Sequence, residues 1–320
     1  MGDELVKAVA FLKERDDFHI ICHVNPDGDA IGSAVGLALI LHELGKKTKV
    51  CCASEIPLVL RFLWDKLPQD CETPETILSV DTASVGQWGK LWADYNRCDL
   101  SIDHHISHVQ ERFEDLLVLD SSAAATGVII LQIAKLLGAK LTPTIADALF
   151  AAVSTDTGCF KYANTNVGAH AAAIELTEAG ADTETITRKM FETKSRSEME
   201  MWRMVLDSIK YYSDGKIAVA TVTQKMREKA GFYNDDLGEL ASIPRQIEGV
   251  ECGITLKQLS RGVYKISIRT NEKLSAEEIA KAFGGGGHTR AAGCTIHGSQ
   301  IEVRDKLIAK AEEQLAAWTD

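Results

Sequence analysis

The strongest constraint on the fold is an alternation near the amino terminus. A strand-like apolar run at 18–23 passes through a turn containing Pro and Gly into a helix-like run at 32–44. Gly45 caps that helix ahead of a second strand-like run at 48–53. Strand, helix and strand at this spacing make a βαβ unit, which requires a parallel sheet with its crossover helices packed on the faces. In such a sheet ligands sit outside the carboxyl ends of the strands. The turn leaving the first strand, His23-Val24-Asn25-Pro26-Asp27-Gly28-Asp29, places one imidazole and two carboxylates at that edge. Pro26 and Gly28 shape a turn that can point all three inward. Asp-Gly-Asp is also ordinary turn and N-cap chemistry, so the functional reading depends on whether the pattern recurs.

It recurs along the chain. An apolar strand at 76–80 ends on Asp81, and another at 99–102 ends on Asp103-His104-His105. An amphipathic helix is predicted at 5–15, a helix at 126–137 closed by Gly138, and a further one at 143–153 that runs into Ser154-Thr155-Asp156-Thr157-Gly158. Another helix spans 167–179. Segment 186–212 keeps helical spacing but is interrupted by Lys194, Arg196, Glu198 and Glu200, and reads as a connector. Beyond it come a strand at 217–222, a hairpin of 249–259 with 262–269, a helix at 275–283 opened by a Ser275–Glu278 capping box, a strand ending near Ile296 and a closing helix at 301–318. The expected fold class is therefore α/β. A parallel-sheet domain with helices on both faces covers 1–190, a helical connector covers 191–212, and a smaller α+β domain covers 213–320.

Composition narrows the function. At 320 residues, with 45% hydrophobic and 25% charged residues, the chain suits two globular, soluble domains. It carries no apolar run long enough to cross a bilayer, and Asp3, Glu4 and two lysines within 1–13 do not make a signal-peptide profile, so a cytoplasmic location without a membrane partner is expected. The eight cysteines form no CxxC pair, and Cys22, Cys98, Cys159 and Cys252 lie in apolar runs. Reduced core thiols are expected, not a zinc-thiolate site. A net charge of -11 argues against gripping long duplex DNA and leaves short nucleotide substrates open. Acidic and basic residues balance from Ser213 onward, which puts the natural cation site in the acidic first part and an anion site in the second.

His23, Asp27, Asp29, Asp81, Asp103, His104, His105 and Asp156 thus come from four segments, each at an element end. Mixed carboxylate and imidazole ligation without thiolate suits Mn²⁺, with Mg²⁺ and Co²⁺ as the other candidates. So many ligands can hold two ions bridged by a shared carboxylate, at roughly the 3.5 to 4 Å separation used in phosphoryl displacement. In the second part, Gly284-Gly285-Gly286-Gly287-His288 lets backbone N–H groups approach an anion and lets His288 reach out. Arg269 ends a strand and offers a fork for two phosphate oxygens, with Arg290 and Arg245 as weaker candidates.

Taken in order, the His23-to-Ser33 stretch, Asp81, Asp103-His104-His105, Asp156 and the Gly284-to-His288 run resemble the motifs of the DHH phosphoesterase superfamily with its DHH-associated C-terminal domain. The resemblance spans nearly the whole chain and is most similar to the NrnA subfamily of bifunctional oligoribonucleases and 3′-phosphoadenosine 5′-phosphate (pAp) phosphatases. It implies that His23, Asp27 and Asp81 hold one metal, and that Asp29, Asp81, His104 and Asp156 hold the other. It also implies that Asp103 orients its neighbours, that His105 faces the scissile phosphate, and that Ser33 and Asn25 lie nearby. Arg269, Gly285, Gly286, Gly287, His288 and Arg290 would bind substrate. One departure is Val128, where many relatives carry Glu. The implied substrates are short RNA oligonucleotides and mononucleotide bisphosphates, and a homodimer is implied too. Cyclic or linear dinucleotides such as c-di-AMP and pApA are the nearest alternative. A pyrophosphatase or exopolyphosphatase fits the glycine run poorly. A catalytically silent nucleotide-binding regulator would predict eroded ligands, and all are present.

Overall fold

The computed structural model describes residues 2–110, 112–233 and 237–317, which divide into two compact units at Thr193/Lys194. The first unit runs α1 (Gly2–Glu14), β1 (Phe18–Ile21), α2 (Gly28–Glu43), β2 (Thr48–Cys51), α3 (Arg61–Trp64), β3 (Thr76–Val80), α4 (Leu91–Tyr95), β4 (Leu100–Asp103) and β5 (Leu116–Leu119). It continues with α5 (Thr126–Leu137), α6 (Pro143–Asp156), α7 (Val167–Glu178) and α8 (Thr183–Thr187). Its sheet is parallel throughout, in the order β2-β1-β3-β4-β5. The order reverses between β1 and β3, and the right-handed crossover rule then sends α2 to one face and α4 to the other. Helices accordingly lie on both faces, but unequally. Phe18, Ile20, Leu78, Val80, Leu100, Ile102 and Val118 pack against α1, α2, α5 and α6 in a large core that also buries Val128. The opposite face is closed by short α4 and by an aromatic group in which Trp88 meets Trp92 and Phe113 edge-on, over Ile21 and Ile77. Every one of the eight cysteines is a free thiol.

The second unit comprises α9 (Arg196–Ser208), β6 (Lys210–Tyr212), β7 (Ile217–Val222), α10 (Gln224–Ala230), β8 (Cys252–Ser260), β9 (Val263–Thr270), α11 (Ala276–Lys281), β10 (Gly286–His288), β11 (Ala291–His297) and α12 (Gln300–Ala317). Its mixed sheet has the order β10-β11-β9-β8-β7-β6, with β7 parallel to β8 and every other pair antiparallel. Ile254, Ile268 and Ala292 face α11 and α12, while Ala220 and Val222 face α9 and the turns of Gly238–Gln246.

Three local expectations change. The 186–212 stretch is not one helix: it breaks at Thr193, and α9 buries Met201, Met204 and Val205 in the second unit's own core. The capping box at α11 is half formed. Ser275 Oγ accepts the Glu278 N–H at 3.3 Å, but the return bond to Ser275 N comes from Gln314 Oε1 at 2.9 Å. The glycine run is an edge strand, with Gly286, Gly287 and His288 opposite Gly293, Ala292 and Ala291. Trp318, expected to end the last helix, lies outside the described residues.

Candidate metal centre and active site

Strand order brings the first-unit residues together. β1, β3 and β4 lie side by side and parallel, so their carboxyl ends share one edge. His23 follows β1 across the switch point from Asp81, the residue after β3, and Asp103 closes β4. Asp27 is the N-cap of α2, its Oδ1 accepting the Ala30 N–H at 3.0 Å, so the ordinary turn reading of Asp-Gly-Asp holds alongside the functional one. Asp29 sits in the first turn of α2 and Asp156 is the last residue of α6. These two helix ends meet because α2 and α6 pack closely: a Cβ on Gly32 would lie 2.5 Å from the Ala148 carbonyl. Asp81 and Asn25 both take left-handed backbone (φ 55° and 53°), which Asp and Asn tolerate better than most residues.

The side chains converge without satisfying one another. His23 donates Nδ1–H to its neighbour's carbonyl, Val24 O, at 2.8 Å, which leaves Nε2 bare toward Asp27 Oδ1 at 3.8 Å and Asp81 Oδ2 at 3.7 Å. His104 repeats the arrangement. Its Nδ1 meets Ala123 O at 3.2 Å, and its Nε2 faces Asp29 Oδ2, Asp81 Oδ1 and Asp156 Oδ2 at 3.8, 3.7 and 3.6 Å. These separations are too long for hydrogen bonds. They fall between the separations of adjacent (about 3.0 Å) and opposite (about 4.2 Å) ligand atoms around an octahedral ion with bonds of about 2.1 Å. His104 Nε2 is also buried with no hydrogen-bond partner among the described residues, an arrangement that costs free energy unless an ion completes it. Three sets could therefore hold a metal: His23 with Asp27 and Asp81; Asp29 with His104 and Asp156; and Asp81 with His104 and His105.

Charge crowding shows in the proton affinities. Burial raises the Asp29 carboxyl well above the usual range, and Asp81 and Asp156 add repulsion. Asp156 rises to about 6, mainly from burial, with Asp81 and Asp27 raising it further against the attraction of His104. Burial lowers His23, but Asp27 and Asp81 overcome that and raise it to about 11. Burial penalises the Asp27 charge, yet His23 and the Ala30 N–H hold it below the usual carboxylate range. The centre is thus short of positive charge, which is the state a divalent pair corrects.

In the third set, His105 Nδ1 donates to Asp103 Oδ1 at 2.8 Å and its ring is part-exposed. The hydrogen bond to Asp103 raises His105 to about 9 against the cost of burial. Ser33, expected nearby, donates Oγ–H to Asp29 Oδ1 at 2.8 Å. Several contributors had no sequence signal: Thr126 N and Gly127 N donate to Asp29 at 2.7 and 3.1 Å, and Thr126 Oγ1 donates to Asp81 Oδ1 at 2.9 Å. Asn164 Nδ2 bridges the Asp156 and Ala124 carbonyls at 3.0 and 3.1 Å. His108 and Glu114 lie behind Asp103. A polar residue that aims a ligand from another element leaves no periodicity to read.

In the second unit Arg269, Ala291 and His288 are register partners across β9, β11 and β10, so Arg269 and His288 project from one sheet face. Arg245 approaches the same face, its backbone N 2.4 Å from where a Cβ on Gly253 would lie, and Gly253 pairs with Arg269. Arg290 donates to Leu274 O at 2.9 Å. Close packing explains two of the glycines: a Cβ on Gly285 or Gly287 would collide with β11, and Gly287 has φ 143°. Gly286 opens to free space.

A parallel sheet with carboxylates and imidazoles gathered at its switch point defines an α/β protein whose strand ends could hold metal ions. Residues 17–153 match the model of the DHH family, N-terminal domain, and residues 214–317 that of the DHHA1 domain. The chain belongs to the DHH family. It is 31% identical to the bifunctional oligoribonuclease and PAP phosphatase NrnA of Thermus thermophilus over 98% of this chain and 93% of that protein. Its identity to the NrnA of Bacillus subtilis is 25%, over 98% of both. The crystal structure of an exopolyphosphatase-related protein from Bacteroides fragilis shares the fold, with a TM-score of 0.85 at 24% identity, covering 98% of this chain and 96% of that one.

Proposed function

We propose that this chain is a Mn²⁺-dependent phosphoesterase that hydrolyses short oligoribonucleotides to mononucleotides and converts pAp to AMP and phosphate. The carrying observation is Asp81, whose Oδ2 faces His23 Nε2 and whose Oδ1 faces the unpartnered His104 Nε2. One carboxylate so placed would bridge two ions, with His23 and Asp27 completing one site and Asp29, His104 and Asp156 the other. A bound pair supplies an activated water and neutralises charge on the phosphate. Asp103 holds the His105 Nδ1–H, so Nε2 would meet the substrate and give its proton to the leaving oxygen as the phosphorus–oxygen bond breaks. Arg269, His288 and Arg290, with the backbone of Gly285, Gly286 and Gly287, would anchor the terminal nucleotide. The oligoribonuclease and PAP phosphatase relatives that match over nearly the full length support the choice of RNA and pAp. Among the described residues no helix is long and apolar enough to cross a membrane, in keeping with a cytoplasmic site of action. A homodimer belongs to the same reading, and light scattering checks it.

The test is product analysis by mass spectrometry. Chelator-stripped protein receives Mn²⁺, Mg²⁺ or Co²⁺ with an RNA dinucleotide, a pentanucleotide, pAp, cyclic di-AMP or pyrophosphate. Mononucleotides from RNA and AMP from pAp, strongest with Mn²⁺, are expected. Cleavage confined to the cyclic dinucleotide, or to pyrophosphate, overturns the assignment.

A further inference from the structure

Behind His105 a chain of buried charges starts at Asp103 and runs beyond the Asp103-His104-His105 motif, through His108 to Glu114. Asp103 is fully buried and divides its bonds: Oδ1 accepts from His104 N at 2.8 Å, His105 N at 3.2 Å and His105 Nδ1 at 2.8 Å, while Oδ2 accepts from His108 Nδ1 at 2.7 Å. His108 is fully buried too, and its far nitrogen, Nε2, donates to Glu114 Oε2 at 3.1 Å. An imidazole that donates from both nitrogens is an imidazolium. Glu114 is held in turn by Phe113 N at 2.9 Å and by Arg112 Nε. The Phe113 ring stacks on His108, with centroids 5.1 Å apart and planes 16° from parallel, so the imidazole cannot turn.

We infer that His108, braced by Glu114 and Phe113, is a positioning residue: it occupies Asp103 Oδ2 so that Oδ1 fixes the His105 ring with Nε2 toward the substrate. The physical reason is competition for donors. A buried carboxylate oxygen stripped of its donor recruits another, and the nearest mobile one is His105 Nδ1–H. Losing His108 would therefore turn the His105 ring rather than merely loosen a loop. Asn can replace the function because its Nδ2 occupies the place of His Nδ1, whereas the Gln amide stands one carbon further out.

The inference rests on the role proposed above for His105, and an activity-independent reading keeps the two separable. In ¹⁵N-histidine-labelled, Mg²⁺-loaded protein, the His105 Nδ1–H signal is expected to keep its chemical shift in His108→Asn and to move in His108→Leu. An unchanged shift in His108→Leu overturns the positioning role whether or not the protein cleaves RNA. With pAp and Mn²⁺, His108→Leu is expected to lower kcat roughly 10- to 100-fold with KM unchanged, and His108→Asn to recover most of it where His108→Gln does not. In a His105→Ala background, His108→Leu should cost nothing further in kcat. An equal loss in both backgrounds, or a loss of Mn²⁺ affinity by calorimetry, would assign His108 a structural role instead. Should His108→Leu fail to fold, the contrast between Asn and Gln carries the test.

Discussion

The two units use burial in opposite ways. In the first, Asp29, Asp81, Asp103 and His108 are almost wholly out of water, and each depends on the others for its charge balance. In the second, Gly286, His288 and Arg290 are exposed, on or beside an edge strand. Buried groups are preorganised and strongly coupled, so removing one unbalances the set. Exposed groups gain less each and act more nearly independently. The proposed function gives chemistry to the first arrangement and substrate capture to the second.

The largest expected effect comes from Asp81→Asn, which keeps a residue tolerant of the left-handed backbone but removes the charge proposed to bridge the two ions. Turnover of pAp should fall by about a thousandfold or more, equivalent to about 4 kcal/mol of transition-state stabilisation.

Proton linkage comes next. In the metal-free centre His23 stands at about 11, Asp156 at about 6 and Asp29 above the usual carboxylate range, so each holds protons that an ion must expel. Metal affinity should therefore rise with pH, most steeply below about 6, where Asp156 still holds its proton, and uptake should release protons. Titration calorimetry in two buffers of different ionisation enthalpy measures the release. An affinity flat across that range contradicts the charge-crowded picture.

A smaller effect is expected in the second unit. Arg269→Ala should raise KM for pAp about tenfold, the value of one charge-assisted hydrogen bond, and leave saturated kcat nearly unchanged. A matching fall in kcat would mean that the two units do not divide the work as described. The finest test uses neighbouring glycines. Gly287→Ala should cost about 1 to 3 kcal/mol in stability because its backbone is left-handed and β11 crowds it. Gly286→Ala faces open space and should leave the melting point alone. A higher KM in Gly286→Ala at unchanged melting point would locate substrate on that strand.

Much of the site was legible from one regularity. In a parallel sheet every strand exits at the same edge, so His23, Asp81 and Asp103-His104-His105, each ending an apolar run, had to lie together once the βαβ start was recognised. Elements whose partners are distant in sequence were not legible. The helix Arg196–Ser208 looked like a connector because its charges interrupt the pattern, and only β7 and the turns of Gly238–Gln246 show what Met201, Met204 and Val205 bury. Nor was the pairing of Gly286, Gly287 and His288 with β11 as an edge strand legible, since the glycine run by itself shows only that backbone can approach an anion there.

By itself the chain determined the parallel sheet, the ligand types and the edge on which they stand, because strand periodicity and turn chemistry act over a few residues. Only the tertiary structure decided how those ligands are aimed. Thr126 and Gly127 clamp Asp29 from a helix about a hundred residues away. His108 and Glu114 brace Asp103 from a loop with no periodicity of its own. Hydrogen bonds reach only across about 3 Å, so which donor meets which carboxylate depends on packing that no local pattern encodes.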